Sequence, residues 1–370
     1  MSPLCLNMIV KNEAHVIRRC LDSVKPFIDH WVIVDTGSTD GTQGLVREHL
    51  CSKPGQLFEH PWKNFGHNRN QALELAASAA DYLFFIDADE RLALPRGFQR
   101  PVLSADAYHL SCKYGGSTFV RCALVAARLP WRWQGVVHEF LECATPFRLA
   151  KLDGPTIVIA HDGARSRDPA TYLKDAALLE QALLANPHST RDTFYLAQSY
   201  RDAGELEKSR TVYRRRSELG GFEEEAWYSL YQVALLEERL QSDPATVSHA
   251  YLRAYQRRPT RAEPLTRLAR YHRLRKEFAL AVLYARQAAA MARPADLLFV
   301  DDATYSWSSL DELAVSASYT SSKDEGRAAL VQLMAENRFP ESERARMLAN
   351  CAFYGIQGTP AGPTTTSASV

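Results

Sequence analysis

Leu83-Phe84-Phe85-Ile86-Asp87-Ala88-Asp89-Glu90-Arg91-Leu92 is the stretch that decides how this chain is read. Four apolar residues run into two aspartates spaced two apart. An apolar run this short, flanked by polar sequence, predicts a strand buried on both faces. Side chains two apart on an extended chain point the same way, so Asp87 and Asp89 are expected to project together from the strand's C-terminal end. In open α/β sheets ligands bind at that end. Two converging hard oxygen ligands suit Mg2+ or Mn2+ shared with a diphosphate. The plainer reading is an acidic turn that caps the next helix. The sequence on either side has to decide between them.

Upstream, Leu4–Val10 reads as a first strand, followed by Lys11-Asn12-Glu13. A helix follows with Val16, Ile17, Cys20, Leu21 and Val24 on one face. Trp31–Val34 is a second buried strand, running into Asp35-Thr36-Gly37-Ser38-Thr39-Asp40-Gly41-Thr42, which is turn and N-cap chemistry. Phe58–Trp62 is expected to be a third strand and Gly66–Ala79 a third helix, with Arg69 and Asn70 in its first turn. Strands alternating with helices imply a parallel sheet.

Four motifs therefore stand in order: Lys11-Asn12-Glu13, Val34–Thr42, Arg69-Asn70 and Phe85–Glu90. Together they resemble the family 2 glycosyltransferases of the GT-A fold, over residues 4–165. The resemblance implies an α/β, Rossmann-like, mostly parallel sheet. It implies transfer of a sugar from a nucleotide diphosphate donor, a UDP-sugar by preference, with a divalent ion and inversion at the anomeric carbon. It assigns Asp35, Arg69, Asp87, Ala88 and His138 to the nucleotide, and Asp87, Asp89 and His161 to Mn2+ or Mg2+. It calls for a general base near the acceptor, and Glu139 is the best candidate, because His-Glu after an apolar pair puts a carboxylate at a strand or loop end; the alternative is a surface or capping carboxylate. Asp35 can accept from a uracil N–H or a ribose hydroxyl, or can simply cap a helix. Thr36 stands where many relatives carry a second Asp. Arg69 can offer its planar fork to the base or the diphosphate. Glu13 is read as stabilising its helix start. Trp131 and Trp133, beside Glu139, either stack on a sugar or fill the core. His161, at the end of a strand over Ile157–Ala160, either completes the metal shell or closes the domain through a hydrogen bond. Arg165 and Arg167 lie on an expected loop beside the diphosphate.

From Tyr172 the strand signals stop and helical patterns take over. Leu196 recurs as Leu230, 34 residues on, and as Leu268, a further 38 residues on. The first interval is the tetratricopeptide period, and an insertion near Gln241–Thr246 is expected to account for the second. The expected division is a glycosyltransferase domain over 1–168, an all-α tetratricopeptide-like domain over 169–356, and a disordered tail over 357–370. This build resembles the bacterial S-glycosyltransferases of the sublancin type. The repeats are expected to meet a protein, peptide or glycan acceptor, or a second copy of the chain, through groups such as Tyr195, Tyr200, Arg214, Arg215, Trp227 and Tyr228, the alternative being that these aromatics fill the helix-pair cores.

Composition narrows the class. A net charge of +1 gives no basic surplus for general nucleic-acid binding. No stretch approaches the ~20 apolar residues of a membrane span. Seven cysteines without a C-x-x-C pair read as reduced thiols in a cytoplasmic protein. The rivals are a non-catalytic scaffold on a glycosyltransferase-like domain, and a nucleotidyltransferase, which would want a Gly-rich phosphate loop near the N-terminus.

Overall fold

The structure, a computed structural model, describes residues 2–114 and 117–356, so the reading of a disordered tail at 357–370 lies outside the described residues. The chain divides into two compact units, Met1–Ala203 and Gly204–Val370.

The first unit opens with β1 (Leu4–Val10), α1 (Ile17–Val24), β2 (His30–Asp35), α2 (Thr42–His49), β3 (Gly55–Glu59), α3 (Phe65–Ala76) and β4 (Tyr82–Phe85). It continues with β5 (Glu90–Ala93), β6 (Ala107–Tyr114), β7 (Ser117–Ala126), β8 (Trp131–Gln134), β9 (Phe140–Cys143) and β10 (Leu149–Ile159). Three helices complete it: α4 (Ala164–Arg167), α5 (Thr171–Ala185) and α6 (Thr190–Asp202). Eight strands form one sheet in the order β3-β2-β1-β4-β7-β6-β10-β5, and β8 and β9 form a separate ribbon. The β3-β2-β1-β4 half is parallel throughout. β7 runs antiparallel to both its neighbours, β10 parallel to β6, and β5 antiparallel to β10.

Burial explains the central strands. All four residues of β4 are buried, as the unbroken apolar run requires. β1 is buried at six of its seven positions. Its one inward polar side chain, Asn7, donates to the carbonyl of Ala72 at 2.7 Å, which satisfies it within the core. α1 buries Ile17, Cys20, Leu21 and Val24, the face its spacing predicted. β3 lies at Gly55–Glu59, three residues before the expected span. Pro61 has no N–H for a ladder, and Trp62 instead packs edge-on against Phe65 at 4.7 Å. All seven cysteines are free thiols.

The second unit is helical: α7 (Leu206–Glu218), α8 (Glu223–Arg239), α9 (Pro244–Arg257), α10 (Glu263–Leu274), α11 (Phe278–Ala289), α12 (Ser309–Ala317), α13 (Lys323–Glu336) and α14 (Arg344–Phe353). Leu196 in α6, Leu230 in α8 and Leu268 in α10 are all buried, as a repeat position demands. The longer second interval is lodged mainly in α8, which has 17 residues against 13 in α6 and 12 in α10, and only slightly in the loops. The turn near Gln241 is short because Asp243 caps α9 through the N–H groups of Ala245 and Thr246, with Pro244 in the first turn.

The expected surface aromatics are largely core. Trp227 is fully buried, and the Arg261 guanidinium lies 3.8 Å over its ring. Arg261 is buried too, held by Glu263 and Asp296. Tyr200 is buried, Tyr228 stacks on Phe299 at 4.1 Å, and Arg214 pairs with Glu237. Helix-pair packing needs large side chains at these spacings, so Trp227 and Tyr200 fill the interior, while Arg214 stays half exposed. Among the described residues no helix is long and apolar enough to cross a membrane.

Candidate functional site

The parallel half of the sheet reverses its winding between β1 and β4, and that crevice gathers the sequence motifs. Val10 at the end of β1 is in register with Asp35 at the end of β2. The loops that leave these two strands are laced together. The Asn12 N–H donates to Ser38 Oγ at 2.8 Å, and Asn12 Oδ1 accepts from the Thr39 N–H at 2.8 Å. The N–H groups of Glu13 and Ala14 donate to Thr42 Oγ1 and Asp40 Oδ2, each at 2.9 Å.

Asp35 is 1% exposed. Its Oδ1 accepts three bonds, from the N–H groups of Gly37 (2.9 Å) and Ser38 (2.8 Å) and from Gln43 Nε2 (3.2 Å). Its Oδ2 is buried with no partner among the described residues. A buried carboxylate oxygen without a donor is costly unless a ligand supplies one. Thr36, its neighbour, turns away and donates to the Val10 carbonyl at 3.1 Å.

Asp87 and Asp89 do not sit on an extended chain. Residues 87–90 make a turn closed by the Glu90 N–H on the Asp87 carbonyl at 3.0 Å. The Glu90 side chain reaches back to accept from the Asp87 N–H, also at 3.0 Å. Glu90 is in turn gripped by Arg121 of β7 through two bonds, at 2.9 and 2.6 Å. Burial and the Asp87 charge raise the Glu90 carboxyl above its usual range. Sequence reasoning missed this brace, because nothing local to either residue signals a partner 31 positions away.

Arg69 leaves α3 toward the same point. It donates to Asp87 Oδ1 at 2.6 Å and to Glu139 Oε1 at 2.5 Å, so it bridges two carboxylates and lies 5.1 Å from the centre of the Trp133 ring. Desolvation alone would raise the partly exposed Asp87 carboxyl, but the guanidinium groups of Arg69 and Arg121 bring it below its usual range. Asp89 is shifted the other way, by its burial and by the Asp87 charge. The Gly163 N–H lies 3.3 Å from Asp89 Oδ2. A Cβ at 163 would stand 3.0–3.1 Å from the Asp89 side chain, a tight contact that Asp89 would have to yield to by a few tenths of an ångström. Glu13 accepts from the Ala164 N–H at 3.1 Å, and burial pushes its carboxyl up to about 7.

The other sequence-predicted residues lie around this centre. Ala88 is buried within the turn. His161 has φ +53° and its ring sits 4.6 Å from that of Tyr114. His138, with φ +50°, stacks on Tyr195 of α6 at 4.3 Å. Arg165 pairs with the buried Asp175 and lies 4.8 Å over the Phe65 ring. Trp131 is buried, and Trp133 packs edge-on against Phe85 at 5.1 Å. Asn70 clamps the Trp133 main chain, accepting from its N–H at 2.8 Å and donating to its carbonyl at 2.9 Å. Arg69, Asp87, Arg121, Trp133, Glu139 and Phe140 line a cavity of about 300 Å³. Among the described residues no three His, Cys, Asp or Glu side chains converge on one metal position.

Residues 5–96 match the family described as Glycosyl transferase family 2. A TPR repeat-containing protein of Synechococcus elongatus is 28% identical over 79% of this chain and 76% of its own length. The lipopolysaccharide core biosynthesis glycosyltransferase LpsC of Rhizobium meliloti is 36% identical over 24% of this chain. The SPbeta prophage-derived glycosyltransferase SunS of Bacillus subtilis is 37% identical over 22% of this chain. These last two matches span only 33% and 19% of those proteins' lengths.

Proposed function

The N-terminal part of this chain is a family 2 glycosyltransferase domain, and from that premise we propose that it transfers a sugar from a UDP-sugar to a peptide, protein or glycan acceptor, with inversion. The observation that carries the donor is the free Oδ2 of Asp35. The other oxygen is saturated by three donors, so this carboxylate has one acceptor left to offer. A uracil ring presents one N–H between two carbonyls. Guanine presents two donors side by side and would want both oxygens. The free oxygen therefore favours uracil over guanine.

The donor chemistry of Asp87 and Asp89 suits a divalent ion. Asp87 and Asp89 offer hard oxygens, and the charge of one already disfavours ionisation of the other. A cation relieves that repulsion. Asp87 and Asp89 would hold Mg2+ or Mn2+, with the remaining positions left to diphosphate and water oxygens; His161 would have to leave its packing on Tyr114 to join them as a third ligand. A bound ion supplies Lewis-acid neutralisation of the leaving nucleotide.

The rest falls to the chain's own side chains. Arg69 fixes Asp87 and Glu139 relative to each other. Glu139 takes the acceptor proton as the nucleophile attacks the anomeric carbon. The apolar wall of the cavity, with Phe85, Trp133, Phe140 and Leu141, keeps that step away from bulk water.

Calorimetry with UDP, GDP and CDP in Mn2+ tests the donor assignment. UDP should bind most tightly, and Asp35→Ala should weaken it by roughly 5–150-fold, the cost of about 1–3 kcal/mol for a lost buried hydrogen bond. GDP binding as tightly as UDP, or an unchanged Asp35→Ala variant, overturns the assignment.

A further inference from the structure

The segment that carries Glu139 is gripped from two sides. On one side stands α3. The Phe65 N–H donates to the Val136 carbonyl at 3.2 Å. A Cβ at Gly66 would stand 2.3 Å from the Gly135 carbonyl, so α3 touches this segment backbone to backbone. Arg69 holds the Glu139 carboxylate at 2.5 Å.

On the other side stands α6, the helix in which the repeat pattern begins. Arg191 donates to the His138 carbonyl. Its guanidinium is sandwiched between the rings of Phe140 and Tyr195, at 4.6 and 4.8 Å. The His138 ring stacks on Tyr195 at 4.3 Å, with 20° between the planes. Both neighbours of Glu139 thus turn to α6 while Glu139 itself turns to α3. His138 also has φ +50°, a left-handed conformation uncommon for a non-glycine residue, and the stack on Tyr195 and the bond from Arg191 both act on it there.

We propose that Arg191 and Tyr195 are positioning residues: α6 sets the place of Glu139 in the site by holding His138 and Phe140. The proposal rests on reading Glu139 as the base. It makes the first helices after the sheet part of the catalytic apparatus. Misplacing a base by about 1 Å can cost on the order of 100-fold in rate.

The test uses the full chain with Mn2+ and whichever of UDP-glucose, UDP-galactose and UDP-N-acetylglucosamine the wild type hydrolyses. Arg191→Met and Tyr195→Ala should each lower kcat for UDP release on the order of 10–100-fold, with KM for the donor within about twofold. Tyr195→Phe, which keeps the stack, should retain the wild-type rate. Amide exchange over residues 135–141 should speed up in Arg191→Met while β1 stays protected. In a Glu139→Gln background Arg191→Met should cost less than about twofold more, because the two act through one group. An Arg191→Met variant with wild-type kcat and wild-type exchange overturns the proposal. So does a loss as large in the Glu139→Gln background as in the wild type. A wild-type rate for Glu139→Gln alone instead overturns the reading of the base.

Discussion

Replacing Arg69 by methionine is the most informative single perturbation. The side chain is 11% exposed and bridges Asp87, 41% exposed, and Glu139, 12% exposed. Methionine keeps most of the volume but removes the charge, which leaves two carboxylates facing each other with nothing between them. Breaking a buried ion pair from one side typically costs about 3–5 kcal/mol. Water screens the Asp87 half, so the lower end, about 3 kcal/mol, applies to the first unit at pH 7.5. The pH dependence has a definite sign. With Arg69 present the Asp87 carboxyl is held below its unfolded value. Its contribution to stability is therefore present above the ordinary Asp range, near pH 4, and lost as pH falls through the lower folded value. In Arg69→Met that contribution is gone at neutral pH, and protonation of Asp87 relieves its repulsion with the facing carboxylate on acidification. The deficit should thus shrink between pH 7.5 and pH 4.5, and Mn2+ should recover part of it at pH 7.5. Urea unfolding followed by tryptophan fluorescence, at both pH values and with and without Mn2+, measures this. An Arg69→Met variant within 1 kcal/mol of wild type at pH 7.5, or one whose deficit grows on acidification, refutes the reasoning.

Asp89→Asn should make UDP binding indifferent to Mn2+; calorimetry with Mn2+ and with chelator decides it. Glu139→Gln should lower the hydrolysis rate by about 10²–10⁴-fold while UDP affinity stays near wild type, as read from initial rates beside calorimetry. Glu13→Gln should stabilise the protein by about 1–2 kcal/mol at pH 8 and by nothing at pH 4, since a carboxyl pushed up to about 7 costs stability as pH rises from its unfolded value to about 7. Thermal unfolding across that pH range would show a flat difference if the Glu13 carboxyl were unperturbed. A chain ending near Gln181, which loses α6, should lose donor hydrolysis, whereas one ending after Ala203 should keep it; equal rates in the two would contradict the packing of α6 on the Glu139 segment.

The parts of the fold legible in the sequence are those whose cause is local. β1, β2 and β4 are apolar runs, and burial follows from composition. The Asp35–Thr42 loop is turn chemistry, and its atoms bond within it or to the neighbouring loop. The repeat leucines are visible because packing imposes a period. What failed was the assumption that Asp87 and Asp89 stay extended. The Glu90 side chain competes for the Asp87 N–H and closes a turn, and a short polar side chain three residues on gives no periodic signal. Trp227 is a different miss. Its spacing suits both a core and a surface, and the Arg261 that covers it lies 34 positions away in the sequence.

The site itself is mostly long-range, and that limits what a single sequence can give. Residue types identify Asp87, Glu139 and Arg69 as candidates, but only the fold brings Arg69 to Glu139 across 70 positions. The same holds for the boundary between the two parts of the chain. A reading of pattern puts the change at residue 169, where alternating strands give way to helices. Packing puts it after Ala203, because α5 and α6 belong with the sheet unit. The two boundaries mark different things. Periodicity reports which secondary structure a segment adopts, and α6 is helical for the same reasons as the repeats that follow it. It does not report which side of that helix is used. The side chains of Arg191 and Tyr195 commit one side of α6 to the segment at His138 and Phe140, so a helix that reads as the first repeat is also a structural support of the segment that carries Glu139.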